Sequence, residues 1–146
     1  MITEVITRYF HFIGIFCLFS SLVVEHLLIQ TEMKRSEVKR LAVVDSIYGI
    51  SALVVLITGL LLWFVVGKSS EFYLGNAVFH VKLTIFIIVA LISVYPTLTL
   101  AKARRGENDD SVSISKAVIM VIRFELLLLI FMPLLASLMA KGIGSF

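Results

Sequence analysis

Leu41–Val66 reads LAVVDSIYGISALVVLITGLLLWFVV. Valine, isoleucine and threonine crowd its second half, Ser51–Val66, and such β-branched residues favour strands in water. Length decides against strands. A run of this size, interrupted by the single carboxylate Asp45, reads as a helix that crosses a bilayer. A hydrocarbon core about 30 Å thick needs about 20 residues at about 1.5 Å each. Backbone polar groups left unpaired in lipid are too costly for any open structure, so the run must be helical. Three further runs of this kind flank it, at about Arg8–Ile29, Ala77–Leu100 and Ala117–Ala140. The connections Thr31–Arg40, Lys68–Asn76 and Ala101–Lys116 are short. The second carries Gly and Asn turn signals, and the third alternates over Ser111–Ser115. Short connections make sequential helices antiparallel neighbours. The expected fold is all-α: one integral membrane domain over residues 1–146, a four-transmembrane-helix up-down-up-down bundle.

Composition agrees. The chain is 60% hydrophobic and 16% charged, with mean hydropathy +1.05. Soluble domains are about half apolar and about a quarter charged. A net charge of +3 and a pI near 9.2 do not signal nucleic-acid binding here, because the cations are split between short loops. Lys34, Arg35, Lys39, Arg40, Lys102, Arg104, Arg105 and Lys116 fall on one side of the bilayer, and only Arg8, Lys68 and Lys141 on the other. Basic loops stay inside, so loops 31–40 and 101–116 are expected to be cytoplasmic, with both termini on the outer side. Trp63, Phe72, Tyr73 and Phe146 then lie where aromatics anchor the outer interface. The N-terminal run is too long for a signal-peptide core, and no small-residue cleavage site follows it. Cys17 is alone and reads as a small buried hydrophobe. No nucleophile elbow, P-loop or HExxH pattern is present.

Ionisable residues within spanning runs cost roughly 2.5–3.5 kcal/mol each on insertion scales, so each is a functional candidate. Topology sorts them by depth. His11, His80 and Lys82 share the outer depth, and Glu25, His26, Asp45, Tyr48, Arg123 and Glu125 share the inner one. His11 and His26 are about 22 Å apart along the helix axis and point in similar directions. Two histidines facing each other at one depth are able to ligate a heme iron axially. The plainer reading is that each histidine is interfacial or hydrogen-bonded. The inner group reads either as mutual charge pairing or as an Arg-bearing pocket for an anionic group, with the carboxylates and Tyr48 passing protons. Lys82 either snorkels outward or meets a ligand carboxylate. Zinc is disfavoured, for want of closely spaced ligands. Tyr95-Pro96 should kink the third helix, with Thr97 and Thr99 available to the freed carbonyls.

Tyr9-Phe-His11-Phe-Ile-Gly14 resembles the first-helix "FHLIG" of HemJ-type protoporphyrinogen oxidases. His26, Ile47-Tyr48-Gly49, Phe79-His80-Val-Lys82-Leu83, and Arg123 with Glu125 resemble further elements of that family. The fourth helix departs from it, with Phe124-Glu125-Leu in place of Asn-Glu-x-Pro and its proline at Pro133. The chain is closer to a sister family of small bacterial inner-membrane proteins of unknown function. That likeness runs through Arg8–Gly14, Val24–Leu28, Asp45–Gly49, Phe79–Leu83 and Tyr95-Pro96-Thr97. The resemblance implies a bacterial inner-membrane location and a HemJ-like fold. It also implies a heme b site on His11 and His80, with His26 as a further ligand, and Arg123 and Lys82 meeting propionates or substrate carboxylates. An oxidoreductase passing electrons to quinone or another membrane carrier would follow. The alternative is a non-enzymatic membrane protein, a small transporter or an assembly or accessory subunit, expected to be a homo-oligomer, whose intramembrane charges are structural.

Overall fold

The computed structural model describes residues 1–146. Four long helices dominate it: α1 (Ile2–Leu28), α2 (Arg35–Leu61), α4 (Ala77–Ala103) and α5 (Lys116–Ala140). A π-helical turn, Leu62–Val66, extends α2 into a 32-residue span, and the short helix α3 (Ser70–Leu74) leads into α4. All four long helices have the length and apolarity to cross a membrane. The first two begin earlier than hydropathy suggests, at Ile2 rather than Arg8 and at Arg35 rather than Leu41. The reason is that a helix does not stop where hydrocarbon stops; charged first-turn side chains reach headgroups while the backbone ladder continues.

The helices close a ring of neighbours, with α1 along α2, α2 against α4, α4 along α5, and α5 back on α1. A β-carbon at Gly14 would sit 3.0 Å from Val55 Cγ2 and 3.1 Å from Val54 Cγ1, so glycine sets the α1–α2 spacing. Most apolar side chains face outward. Only 6% of the most apolar window of α4 is buried by protein, which makes sense when the remainder is covered by acyl chains. The chain is a multi-pass membrane protein.

Tight packing is concentrated at the end that carries the basic loops. The fully buried Leu22, Val38, Leu41, Leu100, Val118 and Ile122 all lie there. The loops themselves form a cap. Strands β1 (Glu32–Lys34) and β2 (Ser111–Ser113) pair antiparallel, with Met33 opposite Val112 and both buried beneath the cap. The alternation in Ser111–Ser115 is half of this ribbon; its partner, hidden in a polar loop, was not expected. Arg35 clamps the loop: its Nη1 donates to the carbonyls of Ala103 (2.9 Å) and Arg105, and its backbone N–H donates to Asp110 O at 2.9 Å. Gly106 has φ +126°, and a β-carbon there would meet the Arg35 side chain at 2.8 Å, so this loop requires glycine.

At the opposite end, Asn76 is fully buried. Its side chain caps α4 by accepting from the backbone N–H groups of Val78 (2.9 Å) and Phe79 (3.2 Å). Its amide donates to Ile143 O and Ser145 Oγ, both at 3.3 Å, which ties down the C-terminal tail.

Candidate functional site

The inward-facing residues of α1 fall on one stripe. Thr7, His11, Gly14, Leu18, Ser21 and Glu25 recur every three or four residues and face inward. The stripe of α2 is Asp45, Tyr48, Ser51, Val55 and Thr58. The helices run antiparallel, so Glu25 meets Asp45 at the basic end, and His11 meets Thr58 toward the other end.

Three carboxyl side chains gather at the basic end: Glu25 (1% exposed), Asp45 (6%) and Glu125 (1%), with Tyr48 (3%) among them. They come from α1, α2 and α5. From α4, Thr97 Oγ1 donates to Asp45 Oδ1 at 2.9 Å. The expectation that Thr97 and Thr99 would serve the carbonyl freed by Pro96, that of Ile92, is not met: the Thr97 hydroxyl turns to this carboxylate, and Thr99 bonds to Tyr95 O at 2.8 Å. The Glu25 and Asp45 carboxyl groups adjoin each other, and Tyr48 lies near Glu125 and Ser93. No cation enters. The chain's two salt bridges are Arg8–Glu4 (2.5 Å) and Arg35–Asp110 (3.5 Å), both away from the cluster. Oε1 of Glu25 and Oε1 of Glu125 are buried without a hydrogen-bond donor. No three of the Asp, Glu, His and Cys side chains are arranged to hold a metal ion.

Arg123 shares the depth of Glu125 but not the cluster. Two residues along a helix turn the side chain through about 200°, so Glu125 points inward while Arg123 is exposed beside Thr31, Lys116, Ile119 and Met120. The expected Arg-bearing acidic pocket is therefore two separate places. His26 is half-buried, and its Nδ1 has no partner.

Toward the other end, His11 Nδ1 lies 2.9 Å from Thr58 Oγ1. Thr58 donates its own hydroxyl proton to Val54 O at 2.6 Å. The ring must then be the donor, so Nδ1 carries hydrogen and a neutral His11 presents a lone pair at Nε2. The ring packs against the open backbone of Gly59, where a β-carbon would lie 3.4 Å from His11 Cε1. Lys82 is half-buried without a hydrogen-bond or salt-bridge partner. His80 is exposed, and its Nε2 donates to Leu74 O at 2.9 Å. One histidine of the expected heme pair thus has a ligand-ready nitrogen, while the corresponding nitrogen of the other is occupied. Sequence reasoning misses Ser21, Ser51 and Thr58; the available signal is spacing, four residues from Ser21 to Glu25, three from Tyr48 to Ser51, and a further two turns to Thr58.

A lateral cleft of about 170 Å³ opens between α2 and α4, with Tyr48, Gly49, Phe86, Ser93 and Thr97 on its walls. Drug-sized ligands occupy roughly 300–1,000 Å³, and a porphyrin macrocycle does not fit this cleft as it stands.

No curated protein and no solved structure matches the chain. The model of one family, described as predicted membrane protein (DUF2214), matches residues 3–144. The chain therefore belongs to the DUF2214 family of membrane proteins.

Proposed function

We propose that the chain handles protons within the bilayer, and that Glu25, Asp45, Glu125 and Tyr48 form the centre that takes up and releases them. One observation carries this reading. The Glu25 carboxyl group is buried beside that of Asp45, and its Oε1 has no donor. Ionised carboxylates only accept hydrogen bonds, so the contact becomes a bond when one proton sits between them. Like-charged carboxylates at such range share a proton rather than both ionising. Thr97 holds Asp45 in place, and Tyr48, beside Glu125, also lines the α2–α4 cleft. Such a centre suits a proton-coupled transporter or a proton-coupled redox protein. On the asymmetry of the basic loops, we take it to open toward the cytoplasm of a bacterial inner membrane.

Infrared difference spectra recorded as bulk pH is changed test the proposal. A carboxylic acid C=O band should come and go, and Glu25→Gln should remove it. A wild-type protein with no pH-responsive carboxylic band would refute proton exchange at this centre.

A second reading has its own observation. His11 has the geometry of an oriented ligand, Nδ1–H held by Thr58 and Nε2 free, as metal-bound imidazoles do. Together with the HemJ-type resemblance, this supports a heme b redox protein oxidising a porphyrinogen, with electrons leaving to quinone. Bound heme would supply one-electron transfer; His11 would hold the iron, and Lys82 would meet a propionate. His80 is not poised as the second ligand, since its Nε2 serves Leu74. A reduced-minus-oxidised spectrum of protein expressed with ample heme decides the matter: absence of a b-type band removes this reading and leaves the first intact.

A further inference from the structure

We infer that the cleft between the end of α1 and the start of α5 binds an anionic phosphate group carried by a membrane lipid. The cleft has a volume of about 240 Å³ and is lined by Thr31, Lys116, Ile119, Met120 and Arg123. It lies apart from the carboxyl cluster and does not depend on how that cluster works.

Lys116 and Arg123 are seven residues apart, two helical turns, so they project from the same face of α5 about 10 Å apart along its axis. Neither has an acidic partner, because the chain's salt bridges lie elsewhere. Glu125 is on the opposite side of the helix and buried. Glu32, beside Thr31, is the adjacent carboxylate, and it accepts from Ser111 Oγ at 3.4 Å rather than from either cation. Arg123 stands two turns into a spanning helix, where an arginine requires a counter-charge. The protein supplies none, so the counter-charge comes from outside.

The chemistry of the lining fits a phosphate. A guanidinium fork binds two phosphate oxygens, an ammonium adds a mobile point charge, and a threonine hydroxyl completes the polar side. The remaining wall points to a lipid as the source. Met120 is 59% exposed and continues into the exposed Phe124 and Leu127 of α5, a surface that an acyl chain would cover. Basic pockets between spanning helices at headgroup level hold anionic lipids in this way.

Thermal unfolding of the full chain in a neutral detergent tests the site. Phosphatidylglycerol should raise the midpoint by several degrees, and phosphatidylcholine should not. Lys116→Gln with Arg123→Gln should weaken the phosphatidylglycerol effect at least tenfold in apparent affinity. Lys102→Gln with Arg104→Gln, at the same end but outside the cleft, should leave it unchanged. Native mass spectrometry supplies an independent readout, with one phosphatidylglycerol retained by the wild-type chain and none by the cleft variant. Protection by inorganic phosphate alone, lost in the same variant, would support the phosphate site but assign it to a free anion. Equal protection by phosphatidylcholine, or protection that survives the cleft substitutions, would overturn the inference.

Discussion

Substituting Glu25 by glutamine separates two descriptions of the carboxyl cluster by their energies. Two unit charges roughly 4 Å apart in an effective dielectric near 20 repel by about 4 kcal/mol. If Glu25 and Asp45 were both ionised, glutamine would relieve that repulsion, and the variant would be about a thousandfold more stable at about 1.4 kcal/mol per tenfold. If the pair shares one proton, it already carries a single charge. The glutamine amide then donates to Asp45 where the proton did, and stability at neutral pH changes by no more than about 1 kcal/mol. Glu25→Ala removes the donor without replacing it and leaves buried Asp45 with Thr97 alone, at a cost of about 1–3 kcal/mol. The assay is reversible unfolding in mixed micelles on the wild type, Glu25→Gln, Asp45→Asn, the double variant and Glu25→Ala. The shared-proton account expects near-neutral single amides and a clear loss for alanine. A glutamine variant stabilised by several kcal/mol would refute it in favour of two ionised groups. A glutamine variant as damaged as alanine would refute it in favour of a bound cation.

Thr58→Val should lower stability by about 1–2 kcal/mol, because the His11 N–H loses its acceptor while packing volume is kept; in a heme-loaded preparation the same change should also shift the spectrum. Gly14→Leu should cost about 1–3 kcal/mol by forcing α1 from α2, and Gly14→Ala less, since the β-carbon contacts are already 3.0–3.1 Å; unfolding midpoints compare the two, and equal stability for leucine and glycine would mean the helices are not in close contact there. Asn76→Ala should lose about 1–2 kcal/mol and free the tail to proteolysis, whereas Asn76→Asp should keep the α4 cap and lose only the tail contacts.

Depth was legible in the sequence, and azimuth was not. Run length and loop charge place a residue along the bilayer normal, which is why Glu25, Asp45, Tyr48 and Glu125 group together from the sequence. Rotation about a helix axis is normally read from hydrophobic periodicity. In α2 and α4 that signal is nearly absent, because lipid on the outside and protein on the inside both accept leucine and valine. Arg123 was therefore grouped with Glu125 although their side chains diverge by about 200°. The ribbon was half visible for a related reason. Alternation marks Ser111–Ser113, but Glu32–Lys34 is too short to show a period, and its register rests on Met33 meeting Val112.

The missing periodicity also bears on how the bundle closes. Between helices in lipid there is little hydrophobic driving force; close contact and hydrogen bonds decide which faces meet. The faces of α1 and α2 that turn inward here carry Thr7, His11, Gly14, Ser21, Glu25, Asp45, Ser51 and Thr58, while Phe12, Phe16 and Ile50 face out. The polar seam is thus a folding determinant as well as a chemical one. An ionised, unpaired Glu25 would push α1 from α2 at the very place where the bundle packs most tightly. A protonated one draws them together. On the proposed reading, proton release from this cluster would be matched by water entry or by movement of α1 against α2, which is the coupling that a proton-driven membrane protein requires and that an inert structural charge pair would lack.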